Sequence, residues 1–150
     1  MTDPEPLEVS VHIAASPDTV FPYFTDPRRY VQWMGSDATL EAVPGGTYRV
    51  SIRDGVQASG EFVEVDPPKR LVFTWGWHGD PAVPPGSTRV EVIFEEVDGG
   101  TRVLLRHLGL PSQDVQDPHA EGWQLYLSRL TVRAAGGDPG PDPTACGEAT

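Results

Sequence analysis

Histidine is the side chain best suited to acid–base chemistry or metal binding near neutral pH, and the 150-residue chain has four. His78 and His119 each stand close to a carboxylate, that of Asp80 and that of Glu121. A catalytic zinc site usually needs three protein ligands in a suitable geometry, and neither stretch supplies them. We therefore predict no metal site.

His107 lies near the end of an alternating run, TRVLLRHLGL. The alternation places it on the same strand face as Thr101, Val103 and Leu105, which predicts that it faces the interior. In an apolar pocket a neutral imidazole can form one directed hydrogen bond to a ligand or act as a general base. The alternative is a core histidine whose nitrogens are satisfied within the protein. Both interpretations stay open.

The stretch RLVFTWGWHGD places two of the four tryptophans two residues apart. Alternation puts Leu71, Phe73, Trp75 and Trp77 on one face of a strand, whereas His78 has the opposite parity and is expected outside or in the following loop. Rings near a strand end suit a cavity wall, where one edge can stay in contact with water. Plain core packing is the alternative.

Nucleophilic catalysis has little support in the sequence. No G-x-S-x-G motif is present, and no glycine pair follows a strand and opens a helix with Lys-Ser/Thr. Cys146 is the single cysteine and lies in a segment rich in proline and glycine. We expect that segment to be too loose to hold a nucleophile in a site.

Composition narrows the classes of partner. The formal net charge of -11 disfavours nucleic acid, whose phosphates need a basic surface. No apolar stretch approaches the roughly 20 residues of a membrane helix, so no membrane insertion is expected. The acidic N-terminus predicts no signal peptide, and a single cysteine fits a reducing compartment. These features predict a cytoplasmic protein.

The positions of proline indicate where helices begin. After a predicted strand over Leu7–Ile13, a capping residue precedes proline at Ser16-Pro17, Asp26-Pro27 and Asp117-Pro118. This pattern predicts two short helices after the first strand and a long C-terminal helix over about 118–135. The long helix has an apolar stripe at helical spacing, formed by Trp123, Tyr126, Leu127, Leu130 and Ala134.

The region from Ala38 to Leu108 predicts a meander of antiparallel strands. Turn signals at residues 44–46, 53–55, 66–68 and 98–100 separate stretches of strand length: TYRVSI, GEFVEV, RLVFTWGW, TRVEVIF and TRVLLRHL. A curved antiparallel sheet covered by one amphipathic helix buries one face of each. We predict this α+β fold as one domain over residues 7–135, with a flexible N-terminus over 1–6 and a disordered tail over 136–150.

Several phrases, in order, carry a family resemblance: SPDTVF, TDPRRYVQWMG, VPGGTYRV, SGEFVEVDPPKRLVFTWGW, GSTRVEVIFEEVDGGTRVLLRHLGL and EGWQLYLSRL. Over roughly residues 7–133 the chain resembles the bacterial family named after the activator of the heat-shock-protein-90 ATPase. That family belongs to the START-like, helix-grip superfamily (SRPBCC). The resemblance implies a curved sheet wrapped around the long C-terminal helix, with a largely apolar cavity between them. It implies no shared catalytic residues.

The predicted cavity gives the candidate residues their roles. We expect Trp123 at its floor, next to a glycine, Gly122, that lets another backbone come close. Trp33 and Met34 are expected in a lid over the mouth, and His107 or Tyr126 would orient a ligand. The full set of predicted ligand-binding residues is Trp33, Tyr48, Phe73, Trp75, Trp77, His107, Trp123 and Tyr126.

Three functions remain open. The first is binding of a small hydrophobic, aromatic or lipid-like molecule in the cavity, with no cofactor, and we favour it over catalysis. The second is a cyclase, lyase or hydrolase that uses His107 as acid and base. The third is a stress or chaperone-associated interaction module, which the family name suggests. The resemblance also implies a homodimer as a candidate assembly.

Overall fold

Seven strands and one long helix make up most of the protein in a computed structural model, which describes residues 6–53 and 55–140. Three single-turn helices follow the first strand. In chain order the elements are β1 (Leu7–Ile13), α1 (Pro17–Val20), α2 (Pro22–Thr25), α3 (Pro27–Tyr30), β2 (Asp37–Leu40), β3 (Thr47–Arg53), β4 (Val56–Asp66), β5 (Arg70–Trp75), β6 (Thr88–Val97), β7 (Gly100–Leu108) and α4 (Gln113–Ala134).

All seven strands form one antiparallel sheet in the order β1-β7-β6-β5-β4-β3-β2. The predicted α+β architecture and the meander are confirmed. The short strand β2 was not separated in the sequence, because four alternating residues are too few to stand out as a strand. Register shifts between Ser51 and Arg53 and between Phe62 and Glu64 interrupt the ladders of β3 and β4. Such irregularities bend a sheet and increase its local twist.

The caps predicted for the short helices are present. The Ser16 hydroxyl accepts a hydrogen bond from the Thr19 amide at 3.3 Å, and the Asp26 carboxylate accepts one from the Arg28 amide at 2.9 Å. Pro22 starts a helical turn of its own directly after α1. Proline lacks an N–H and fits the first position of a helix, so the segment forms three turns instead of the two predicted helices.

The long helix begins five residues earlier than predicted, at Gln113, so Pro118 lies inside α4. Proline in this place forgoes one backbone hydrogen bond, to the carbonyl four residues before it. Pro118 and Asp117 are exposed, and the Gln113 side chain donates to the Asp117 carboxylate at 2.7 Å. The helix start predicted at Asp117-Pro118 is therefore wrong.

A ladder of charges crosses the outer face of five strands. Arg70 of β5 lies 3.2 Å from Glu64 of β4 and 3.4 Å from Glu91 of β6. Arg106 of β7 lies 3.3 Å from Glu91 and 3.0 Å from Glu8 of β1. Directly opposed charges of unlike sign stabilise neighbouring strands, so the ladder ties the first strand to the rest of the sheet.

One arginine on the inner side of α4 is buried. Arg129 is 8% exposed, and its Nε donates to the Trp33 carbonyl at 3.0 Å. Its terminal nitrogens donate to the carbonyls of Pro139 at 3.3 Å and Gly140 at 2.9 Å. These acceptors lie in residues 136–140, the described part of the segment that was predicted to be disordered. Residues 1–5 and 141–150, with Cys146, lie outside the described residues.

Nothing in the described ranges has the length and apolar character of a helix that crosses a bilayer.

Candidate functional site

A cavity of about 340 Å³ lies between the end of β5 and the N-terminal half of α4. Its inner wall is buried, whereas Pro118 is exposed and Trp77, His119 and Gly122 are half-buried, so the mouth lies on this side. The lining residues are Met34, Ile52, Trp75, Trp77, Pro118, His119, Gly122, Trp123 and Tyr126.

A glycine allows both tryptophans of the WGW stretch to reach this cavity. β5 ends at Trp75, and a Cβ at Gly76 would lie 1.7 Å from the Pro84 carbonyl oxygen, so a side chain is excluded there. The next residue bridges to β4, and the Trp77 amide donates to the Val83 carbonyl at 2.7 Å. The indole rings of Trp75 and Trp77 are 5.2 Å apart at 83°. Both line the cavity, on the common side that alternation predicted.

His119 occupies the mouth with a defined tautomer. Its Nδ1 lies 2.8 Å from the Val115 carbonyl, which can only accept, so Nδ1 carries the proton. Its Nε2 accepts a hydrogen bond from the Trp77 indole N–H at 2.9 Å. Sequence reasoning weighed His119 only as a metal ligand and missed it as a lining residue. Its position four residues before Trp123 was the available signal, because such residues share a helix face.

His107 lies behind the cavity wall and is fully buried. Its Nδ1 accepts from the Trp123 indole N–H at 3.1 Å, so its Nε2 donates to the Thr88 hydroxyl at 2.8 Å. That hydroxyl donates onward to the Trp75 carbonyl at 2.6 Å. Burial, with a smaller effect of His119, lowers the pKa of His107 to about 3. It does not line this cavity: of the two interpretations left open by the sequence, the satisfied core histidine fits, and its Nδ1 holds the Trp123 indole in position.

These five side chains form one Trp–His cluster, which consists of Trp75, Trp77, His107, His119 and Trp123. The Trp75 and Trp123 rings are 5.1 Å apart, and the two imidazoles are 5.3 Å apart and nearly perpendicular. The Trp75 indole N–H is buried without a hydrogen-bond partner. Every other indole or imidazole nitrogen of the cluster is hydrogen-bonded, which fixes the rings of the wall in place.

Besides His107, three more of the predicted ligand-binding residues pack in the core: Trp33, Tyr48 and Phe73. Trp33 is fully buried and donates from its indole to the Tyr23 carbonyl at 2.9 Å, so it is not part of a lid. Tyr48 stacks on Phe73 with ring centroids 4.1 Å apart. The Tyr48 hydroxyl bonds to that of Tyr30, and burial raises the pKa of both phenols.

Gly122 has a different role from the predicted one. A Cβ built on it would meet no atom within 4 Å, so no other backbone approaches it. The missing side chain opens space in the cavity wall instead, since Gly122 lines the cavity. Met34 also lines the cavity, and its sulfur accepts a hydrogen bond from the Tyr30 hydroxyl at 3.2 Å.

Metal-ligating groups are scattered in the described part of the chain, where no three His, Cys, Asp or Glu side chains are placed to hold an ion. His78 is exposed, as its parity predicted, and its Nε2 lies 2.8 Å from the Ser59 hydroxyl.

The family can be assigned from the sequence and the fold together. Residues 14–135 match the family described as Activator of Hsp90 ATPase homolog 1-like protein. The chain belongs to this family. The resemblance inferred from the sequence motifs is thereby confirmed, and so is the helix-grip fold.

Three relatives illustrate the similarity. The human Activator of 90 kDa heat shock protein ATPase homolog 1 is 29% identical over 112 residues, which are 74% of this chain but 31% of that protein, so the chain spans less than a third of it. The solution structure of an AHSA1-like protein from Rhizobium etli is 46% identical, with a TM-score of 0.72, and covers 95% of this chain and 91% of its own. DynU16, a putative protein in the dynemicin biosynthetic locus, is 28% identical, with a TM-score of 0.79, and the match covers 93% of this chain and 50% of DynU16.

Proposed function

We propose that this protein binds a small, uncharged molecule, aromatic or lipid-like, in the cavity of the Trp–His cluster. The observation that carries the proposal is the composition of the lining. None of the nine lining residues carries a carboxylate, ammonium or guanidinium group, and three of them are tryptophans. A mostly apolar cavity with few polar groups is typical of small-molecule sites.

The size and ring geometry of the cavity favour one ligand class. A volume of about 340 Å³ is at the lower end of the roughly 300–1,000 Å³ of known ligand sites, so a molecule of two or three fused rings suits it. The Trp75 ring is tilted by 52° to Trp123 and by 83° to Trp77, so a flat ligand meets both ring faces and ring edges. Such aromatic contacts contribute about 0.5–1.5 kcal/mol each beyond area burial.

The enzymatic alternative with His107 as acid and base has less support. Both of its nitrogens are committed to Trp123 and Thr88, and a pKa of about 3 makes it a poor base at neutral pH. Stabilisation of the cavity wall accounts for all of its contacts.

A second candidate function is activation of an Hsp90-type ATPase. The name of the human relative favours it, although the match covers less than a third of that protein. Its test is the ATPase rate of a purified bacterial Hsp90 with and without this protein. A stimulated rate supports this function, and an unchanged rate counts against it. The homodimer and the cytoplasmic location expected from the sequence stay predictions.

The binding proposal is tested with the indole N–H signals of ¹⁵N-labelled protein during titration with 2-methoxynaphthalene. The chain has four tryptophans. We expect the signals of Trp75, Trp77 and Trp123 to shift in a saturable way. Trp33, whose indole is held by a core carbonyl away from the cavity, is the internal control. Equal, non-saturating shifts of all four signals would refute a specific site.

A further inference from the structure

The lining of the cavity includes one imidazole, that of His119, and it lies at the mouth. Indole nitrogens can only donate hydrogen bonds, and the Trp123 N–H is already used by His107. The Met34 sulfur is a weak acceptor that the Tyr30 hydroxyl already contacts. His119 differs from these groups, because its Nε2 is a strong neutral acceptor whose lone pair is fixed by the Nδ1–H bond to Val115.

The hydrogen bond that His119 Nε2 accepts from the Trp77 indole can be exchanged for another at a low cost in free energy. Trp77 and His119 are both half-buried, so an indole N–H released at this place reaches water. The corresponding bond between Trp123 and His107 is enclosed, since these residues are 3% and 0% exposed. Breaking the enclosed bond leaves buried polar groups without partners, which is more costly than exchanging a bond at the surface.

We propose that His119 selects ligands with a hydrogen-bond donor, such as an aromatic alcohol, by accepting the donor at Nε2 in place of the Trp77 indole N–H. This inference rests on the proposed function and narrows its ligand class. The aromatic body of the ligand lies against the indole rings, and its hydroxyl points to the mouth. Displacement of Trp77 couples entry of the ligand to opening of the mouth.

The test compares 2-naphthol with 2-methoxynaphthalene, which share a ring system and an oxygen but differ in the O–H donor. Affinities are measured by calorimetry for the wild-type protein and for His119→Phe, which keeps a ring of similar shape and removes the acceptor. For each protein we take the ratio of its affinity for 2-naphthol to its affinity for 2-methoxynaphthalene. Dividing the wild-type ratio by that of the variant cancels the different solvation of the two ligands. We expect 2-naphthol to be favoured about 3- to 10-fold more by wild type than by the variant, the range of a neutral hydrogen bond.

Two further variants test whether the preference for 2-naphthol depends on the acceptor at position 119. His78→Phe changes an exposed histidine outside the cavity and should retain the wild-type preference. His119→Gln supplies an amide oxygen as acceptor and should recover part of it. In wild type, 2-naphthol should shift the Trp77 indole signal much more than 2-methoxynaphthalene does, because only the alcohol replaces its bond to His119.

The outcomes separate the two proposals. If neither compound binds the wild-type protein, the proposed function fails. If both bind and the affinity ratio is the same for wild type, His119→Phe and His119→Gln, the binding function stands and the role of His119 is refuted. A preference that His78→Phe also removes would likewise overturn the assignment to the cavity mouth.

Discussion

Replacing Gly122 with leucine places a side chain inside the cavity from a position of α4 that has none. A Cβ at this position meets no atom within 4 Å, and the residue lies in the middle of the 22-residue helix. The change therefore fills the site without displacing backbone. We expect Gly122→Leu to fold normally and to lose ligand binding.

The stability change can be worked out from three contributions. Glycine is less favourable than alanine in a helix interior by about 1 kcal/mol, and leucine is close to alanine. Burying the leucine side chain adds up to about 2 kcal/mol. Contact with the indole rings opposes this gain by about 1–3 kcal/mol where the fit is tight. The free energy of unfolding of Gly122→Leu should therefore lie within about 1 kcal/mol of wild type or above it.

The smaller substitution Gly122→Ala isolates the helix contribution. It should raise the free energy of unfolding by about 1 kcal/mol and Tm by about 3 °C, because the methyl group meets open space. Thermal unfolding followed by circular dichroism measures both variants. Binding of 2-naphthol, measured by calorimetry, should weaken at least about tenfold in Gly122→Leu, which corresponds to 1.4 kcal/mol.

A leucine on the outer side of the same helix is the matched control. Gln124 is exposed, so Gln124→Leu adds the same side chain outside the cavity and should leave affinity unchanged. Normal binding by a folded Gly122→Leu variant would refute the location of the site. A loss of more than about 2 kcal/mol of stability in Gly122→Ala would refute the open space beside the helix, since only a clash outweighs the gain in helix propensity.

Three further predictions concern stability. The pKa of His107 is lowered to about 3, from 6.5 in its ordinary state, so its contribution to stability is complete above pH 6.5 and is lost as the pH falls towards 3. In urea unfolding, the free energy of unfolding should fall by about 2 kcal/mol between pH 7 and pH 5, and His107→Gln should largely remove this fall. An equal fall in the variant would contradict the prediction. Arg106→Ala should lower the free energy of unfolding by about 0.5–1 kcal/mol, and Arg102→Ala, whose ion pair is more exposed, by only a few tenths of a kcal/mol. If urea unfolding gives equal losses for the two variants, the ladder does not stabilise the sheet. Tyr30→Phe should cost about 1–3 kcal/mol because it leaves the Tyr48 hydroxyl buried without its partner, whereas Tyr48→Phe leaves Tyr30 bonded to sulfur and should cost less; thermal unfolding of both variants decides the order.

Alternation along the strands was the most reliable signal in the sequence. The buried face of β5 carries Leu71, Phe73 and Trp75, as its pattern predicted. Turn glycines marked the breaks between the strands because their positive φ angles favour glycine, as at Gly45 and Gly99. A period of two gives the face of a strand directly, so the sheet could be predicted without knowledge of the packing.

The same pattern does not show which inward side chains line the cavity and which pack in the core. Phe73 and Trp75 share a face, yet Trp75 lines the cavity and Phe73 stacks on Tyr48. The position of the helix across the sheet decides which inward side chains are covered, and that position depends on contacts distant in sequence. Trp33 was misplaced for the same reason, since the turn after α3 carries it into the core.

The two errors on α4 have local causes. Asp117-Pro118 has the composition of a helix start, but proline is tolerated near an exposed helix end and the helix begins at Gln113. A glycine beside a tryptophan suggested close packing, whereas Gly122 faces open space. Absence of a side chain is compatible with both a tight contact and a void, and sequence alone does not separate them.

The hydrogen bonds of Arg129 bear on where the folded unit ends. The family match stops at residue 135, yet this guanidinium donates to carbonyls at Pro139 and Gly140. A protein shortened to the family boundary would remove two acceptors from a buried cation. A shortened protein for crystallography or NMR should therefore extend through residue 140 at least, five residues beyond the end of the family match.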